Sequence, residues 1–454
     1  MSTVCAIATP AAVGGISAVR ISGENAFSVA ESVFAAVYPK VKISEMSGYT
    51  AAYGKIFDGG ERLDDGILLV YRAPHSYTGE DVCEIFCHGG IYVTQRVLTA
   101  CLKAGAEPAA AGEFTKRALL NGKMSLTQAE AVADVISAQG KQILSCSNAQ
   151  REGALFRRCE DIAAKIMEVS AQISAWIDYP DDDTPVVTEE WLCERLSEVE
   201  NDFKRLLSEY DAGRLIREGI SCAIVGKPNV GKSTIMNLLS GRERSIVSSV
   251  AGTTRDIVEE TVNINGAVCL LSDCAGIRET DDEIEKIGVE IMLKRLENAD
   301  IVLAVFDGSR ELSDEDKRLI GLIEGKNVIP VVNKSDLENR LDVDFLEEKL
   351  GKAAVISAKN TNCAEIIGNA ITARLNLDKF DANAGFLANE RQRSCVLRAE
   401  RHVGAALSAA ALGVTPDAIG VELEAALDAV YELSGKRASE EVIAEVFKRF
   451  CVGK

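Results

Sequence analysis

The stretch SCAIVGKPNVGKSTIMNLLSG, Ser221 to Gly241, decides the fold. Its apolar start predicts a buried strand, the octapeptide GKPNVGKS from Gly226 to Ser233 a glycine loop, and STIMNLLSG a helix. Strand, loop and helix in this order form a phosphate-binding loop. Gly226 and Gly231 let the backbone curl so that N–H groups of Asn229, Val230, Gly231 and Thr234 converge on phosphate oxygens. Lys232 then reaches the β and γ phosphates, and the Ser233 hydroxyl ligates magnesium.

Around this loop, between Gly219 and about Arg374, the apolar runs AIVG, VCLLSD, DIVLAVFD, VIPVVN and AAVIS alternate with helical stretches. That alternation predicts a doubly wound α/β sheet. Three further segments follow predicted strands. AGTTRD, Ala251 to Asp256, offers Thr254 as a second hydroxyl for magnesium, in a loop that the γ-phosphate can order. DCAG, Asp273 to Gly276, supplies an outer-shell carboxylate for magnesium and a glycine N–H for the γ-phosphate, with Cys274 and Ala275 between them. NKSD comprises Asn333, Lys334, Ser335 and Asp336; a buried Asp336 accepts both the ring N–H and the amino group of guanine, and so selects GTP. Ser357, Ala358 and Lys359 complete the base pocket through a backbone N–H.

Ras-like GTPases carry a water-orienting glutamine directly after the last glycine of the third segment, and here that position is Ile277. The residues leave two readings open. Asn229 can hold a monovalent cation against the phosphates while an acid of ETDDEIEK, Glu279 to Lys286, orients the water. Equally, Asn229 only shapes the loop and the acids begin a solvated helix.

The chain of 454 residues allows two to four domains. A formal charge of −19 argues against tight, sequence-independent nucleic-acid binding, so a nucleic-acid substrate requires local basic patches or a helper protein. Thirteen cysteines without a CxxC pair read as small apolar residues of a reducing cytoplasm. Residues 2–19 carry no charge, but Pro10 and Gly14-Gly15 interrupt them, which predicts strand, turn, strand rather than a secretion signal. No apolar run is long enough to span a bilayer. GISAVRIS, GYTAAYGKIF, DGILLVYRA and DVCEIFCH predict strands, and IYVTQRVLTACLKAG a helix, of an α+β region. In VCEIFCH, alternation puts Glu84 and His88 on one side and Cys83 and Cys87 on the other, which disfavours a Cys/Cys/His metal site. Ser125 and Gln128 form a capping-box signature before long helices, which break at Asp178-Tyr179-Pro180. Helices resume after Leu377, with Thr415-Pro416 as cap and first position, and SEEVIAEVFKRF forms the last of them.

These residues resemble the tRNA-modification GTPase MnmE (TrmE) family along essentially the whole chain. The likeness rests on VRISG, SYTGEDVCEIFCHGG, GEFTKRALLNGKMSLTQAEAV, IDYPDDD, the GTPase segments and the ending FCVGK. The resemblance implies a multidomain α+β and α/β fold. Its parts are an N-terminal tetrahydrofolate-binding and dimerisation domain over 1–118, similar to glycine-cleavage T proteins, a discontinuous helical domain over 119–218 and 377–454, and an inserted Ras-like P-loop G domain over 219–376. It also implies a cytoplasmic homodimer without a membrane, which works on tRNA in a heterotetramer with the flavoprotein MnmG, the source of FAD and NADH. The product is a carboxymethylaminomethyl group on C5 of wobble uridine, built with 5-formyl- or methylene-tetrahydrofolate. GTP, Mg2+ and K+ are the other expected cofactors.

The family match assigns Asn229 of the phosphate loop to potassium, with Ser248, Val250 and Thr253 from a GTP-contacting segment that also holds Ser249, Ala251 and Gly252. Glu285 matches the water-orienting glutamate, and DCAG departs from the family's DTAG at Cys274. Arg20, Glu84 and Lys123 match folate contacts, and FCVGK implies Cys451 near the one-carbon unit and Lys454 on the ligand. The competing class is a GTP-controlled switch in ribosome assembly, disfavoured because neither a GXXG RNA clamp nor a second G domain is evident.

Overall fold

The computed structural model of the chain describes residues 2–38, 42–178, 187–241, 259–273, 294–360, 362–448 and 450–453. They form two compact units, Met1–Ala133 with Leu427–Lys454, and Asp134–Ala426.

The first unit is built on β1 (Val4–Ile7), β2 (Ile16–Ser22), β3 (Phe34–Ala36), β4 (Thr50–Asp58), β5 (Glu61–Tyr71), β6 (Val82–His88) and β7 (Glu107–Pro108). Their order is β3-β4-β5-β6-β2-β1-β7. Neighbours run antiparallel except β1 with β7. Period-two alternation makes one face apolar, and α1 (Ala26–Val33) and α2 (Ile91–Lys103) pack on it around Val19, Ile21, Ile56, Leu68 and Ile85. Cys83 and Cys87 of β6 point into this core, and burial pushes the Cys83 thiol up to about 12. His88 on the opposite side is exposed and bonds Asp64 at 2.8 Å.

After α3 (Glu113–Leu120), the predicted capping box opens α4 (Leu126–Ser137). Ser125 N–H donates to Gln128 Oε1 at 2.9 Å and Gln128 N–H to Ser125 Oγ at 3.2 Å. The later segment of this unit supplies the helix Glu440–Phe447, capped by Ser439. Ile443, Phe447 and Phe450 pack against Ala129, and Val452 bridges Ala111.

In the second unit α5 (Lys141–Arg151), α6 (Ala154–Asp178), α7 (Glu189–Ser208) and α8 (Tyr210–Glu218) precede a six-stranded sheet, and the later helix Glu390–Ala411 packs on α7. The strands are β8 (Ile220–Val225), β9 (Glu259–Ile264), β10 (Ala267–Asp273), β11 (Ile301–Asp307), β12 (Val328–Asn333) and β13 (Ala354–Val355), in the order β13-β12-β11-β8-β10-β9. β8 is buried on both faces, Ile220, Cys222 and Ile224 in one core and Ala223 and Val225 in another, which explains its unbroken apolar run. The expected parallel strands are all present. In this sheet, among the described residues, β9 was not expected: it pairs antiparallel with β10 at the edge through the turn Asn265-Gly266.

Candidate functional site: a phosphate loop and a half-buried ion pair

The loop between β8 and α9 (Lys232–Ser240) lies at the carboxyl end of the parallel strands, where the β12 terminus also arrives. Doubly wound sheets bind ligands at this end. Gly226 adopts φ 148°, and a Cβ there would stand 2.4 Å from the Val305 carbonyl of β11. Gly226→Ala is expected to lower folding stability by at least about 1–3 kcal/mol, read by thermal or denaturant unfolding. Unchanged stability would mean that loop and strand do not touch.

Val230 anchors the loop in the core at 3 % exposure. Asn333, buried at the end of β12, ties three parts together: its Nδ2 donates to Val230 O at 2.8 Å, and its Oδ1 accepts from Ala358 N–H at 2.9 Å. The phosphate loop and the SAK segment are therefore held by one amide. Lys232 is buried, and its ammonium donates to Gly226 O at 2.6 Å and Lys227 O at 2.5 Å. Ser233 and Thr234 are exposed at the N-terminus of α9, where N–H groups and dipole favour an anion. Asn229 is exposed and left-handed, φ 65°.

The base-side residues depart from expectation in one respect. Asp336 is exposed rather than buried, because it follows β12 on a surface turn. It is nonetheless fixed: Lys359 Nζ donates to one carboxylate oxygen at 2.6 Å and Ser357 Oγ to the other at 2.7 Å. Those bonds, with Lys359 first, hold its carboxyl below the usual carboxylate range, so it is ionised at neutral pH. Lys334, at φ 68°, pairs with Asp307 at 2.6 Å, and Ser335 N–H bonds Ile356 O at 3.0 Å. Ser248, Ser249, Val250, Ala251, Gly252, Thr253, Thr254, Cys274, Ala275, Gly276, Glu285 and Lys454 lie outside the described residues, as does the Asp273 side chain. The Asp273 backbone pairs with Ile224, beside the strand that feeds the loop.

In the first unit the register of β2 and β6 sets Arg20 opposite Glu84, and Arg20 Nε donates to Glu84 Oε1 at 2.7 Å. Both side chains are mostly buried, at 17 % and 13 % exposure. The Arg20 guanidinium sits 5.6 Å from the Tyr77 ring centre and 5.3 Å from that of Phe114, within cation–π range. Arg20 holds Glu84, because a mostly buried carboxylate needs a cation partner. Lys123 is exposed and bonds Pro74 O at 2.9 Å, with no bond to that pair. Cys451 is exposed, and its carbonyl accepts from Gly112 N–H at 3.2 Å.

Reading the sequence missed Tyr77, Phe114 and the network behind them. Arg117, 3 % exposed, pairs with Glu80 and Glu113 at 3.0 Å each and donates to Ser2 O at 2.7 Å, while Ser22 Oγ donates to Glu80 Oε2 at 2.7 Å. Charges inside the motifs SYTGED and GEFTKR, flanked by buried positions, were the available clue.

Comparison with known proteins covers the chain from end to end. A family model described as the GTP-binding protein TrmE N-terminus matches residues 3–123, and one described as the MnmE helical domain matches residues 126–451. The protein named tRNA modification GTPase MnmE from Listeria welshimeri is 38 % identical over 456 residues, covering 100 % of this chain and 99 % of its own. The protein of the same name from Streptococcus pyogenes is 39 % identical over 455 residues, covering 100 % and 98 %. With relatives aligned from end to end and family models matching on both sides of residue 124, the chain belongs to the tRNA modification GTPase MnmE family.

Proposed function

We propose that this GTPase is stimulated by potassium and that its hydrolysis cycle drives the addition of a carboxymethylaminomethyl group to C5 of wobble uridine. In this reading it is a cytoplasmic homodimer acting on tRNA with MnmG, which brings FAD and NADH, and it takes the one-carbon unit from a tetrahydrofolate derivative. The observation that carries the one-carbon part is the Arg20–Glu84 pair beneath Tyr77 and Phe114, in the same unit as Cys451.

The residues present fit the groups they would hold. Exposed Ser233 at the start of α9 offers the hydroxyl oxygen that magnesium prefers. Exposed Asn229, two residues before Gly231 in the loop, offers an amide oxygen to a monovalent cation. A bound cation supplies positive charge between the β and γ phosphates. Glu84, kept ordered by Arg20, accepts N–H groups of a planar heterocycle, which the exposed Tyr77 ring can flank. Glu285 is proposed to orient the attacking water and Cys451 to act as a nucleophile.

Deleting the gene and measuring wobble-uridine modification by mass spectrometry tests the whole reading. Normal modification accompanied by defective ribosomes would reject it in favour of the assembly switch. GTP turnover is expected to be clearly faster in potassium than in sodium, and equal rates would remove the role of Asn229. Full modification by Cys451→Ser would sink its part.

A further inference from the structure

Lys227 belongs to the phosphate loop, yet its ammonium is committed away from the phosphate cradle. Its Nζ donates to Ser313 Oγ at 2.6 Å and lies 2.7 Å from Asp316 Oδ2. Asp316 is 5 % exposed and belongs to the first turn of the helix Asp314–Ile323 that follows β11. There it completes a capping box, accepting from Ser313 N–H at 3.0 Å, so its remaining charge is met by Lys227.

The same lysine's carbonyl accepts from Lys232 Nζ. Residue 227 is thus gripped twice, by its side chain from the neighbouring helix and by its carbonyl from Lys232. Pro228 follows with a ring-fixed φ, and Asn229 then turns left-handed at φ 65°. With so little torsional slack, the setting of Lys227 passes directly to Asn229. Beside this contact lies a cavity of ≈ 250 Å³ whose wall includes Asn229, Asp307, Arg310, Glu311 and Glu315. One side of the loop is therefore not packed, and the ion pair is what braces it.

We propose that Lys227 and Asp316 are positioning residues for GTP hydrolysis: their charge-assisted bond sets the phosphate loop so that Lys232 and Asn229 meet the triphosphate. In the full chain, Lys227→Met and Asp316→Asn each lower kcat/KM for GTP about 10- to 100-fold. KM rises as kcat falls, whereas a mere loss of folded protein would lower kcat at constant KM. Combining the two substitutions lowers kcat/KM no further than either alone, since both break one contact. Lys227→Met paired with Asp316→Leu replaces buried charge by apolar volume and recovers thermal stability, while turnover stays low. Unchanged turnover in folded Lys227→Met, additive losses, or turnover that recovers together with stability in the apolar pair would each overturn the proposal.

Discussion

Asp336→Asn lowers kcat/KM for GTP by on the order of 10⁴, because a site built to receive two N–H groups then meets the base with only one acceptor and an opposing donor. The carboxylate is prepared for this work: Lys359 and Ser357 occupy one lone pair on each oxygen and keep it ionised. Folding stability should change by no more than about 1 kcal/mol, since the Lys359 partner is a largely exposed lysine and such ion pairs contribute little. Xanthosine triphosphate, which carries a carbonyl where guanine has its amino group, should in turn become the better substrate. The decisive measurement is the ratio of hydrolysis rates on the two nucleotides; a variant that still prefers GTP would show that another residue reads the base.

Lys232→Met has the second largest expected effect, a fall in kcat of about 10²–10³-fold, the usual loss when a donor to developing transition-state charge is removed. The ammonium is already positioned, bonded to the carbonyls of Gly226 and Lys227 with the side chain 6 % exposed. Methionine fills a similar volume, so the core around Val230 should survive and the loss should be one of charge. Multiple-turnover hydrolysis, together with titration of a fluorescent GDP analogue, separates turnover from binding. A variant within tenfold of the parent rate would mean that phosphate charge is neutralised elsewhere.

Both predictions rest on residues that could be read directly, because phosphate loops and NKSD are local: spacing along the chain fixes the geometry. The parallel strands were legible for a similar reason, as β8, β11 and β12 are buried on both faces and show as unbroken apolar runs. β9 escaped because EETVNI is polar at alternate positions and lies at an edge, where only one neighbour supports it. The exposure of Asp336 escaped because function was taken to require burial, whereas two bonds hold the carboxylate at the surface. Alternation told which side of β6 Glu84 would take. It could not tell that Arg20 would be its partner, since that follows from the register of β2 against β6, and the two residues are 64 positions apart.

The unit that holds Arg20 and Glu84 draws its residues from Met1–Ala133 and from Leu427–Lys454. On a translating ribosome these two stretches emerge at separate times, with Asp134–Ala426 made between them. At about 5–20 residues per second the earlier stretch waits some tens of seconds for Phe447, Phe450 and Val452 to reach Ala129 and Ala111. Products of interrupted translation can therefore carry a phosphate loop and Arg20 with Glu84, but lack the segment that brings Cys451. Completion of this unit reports that Asp134–Ala426 has already been made.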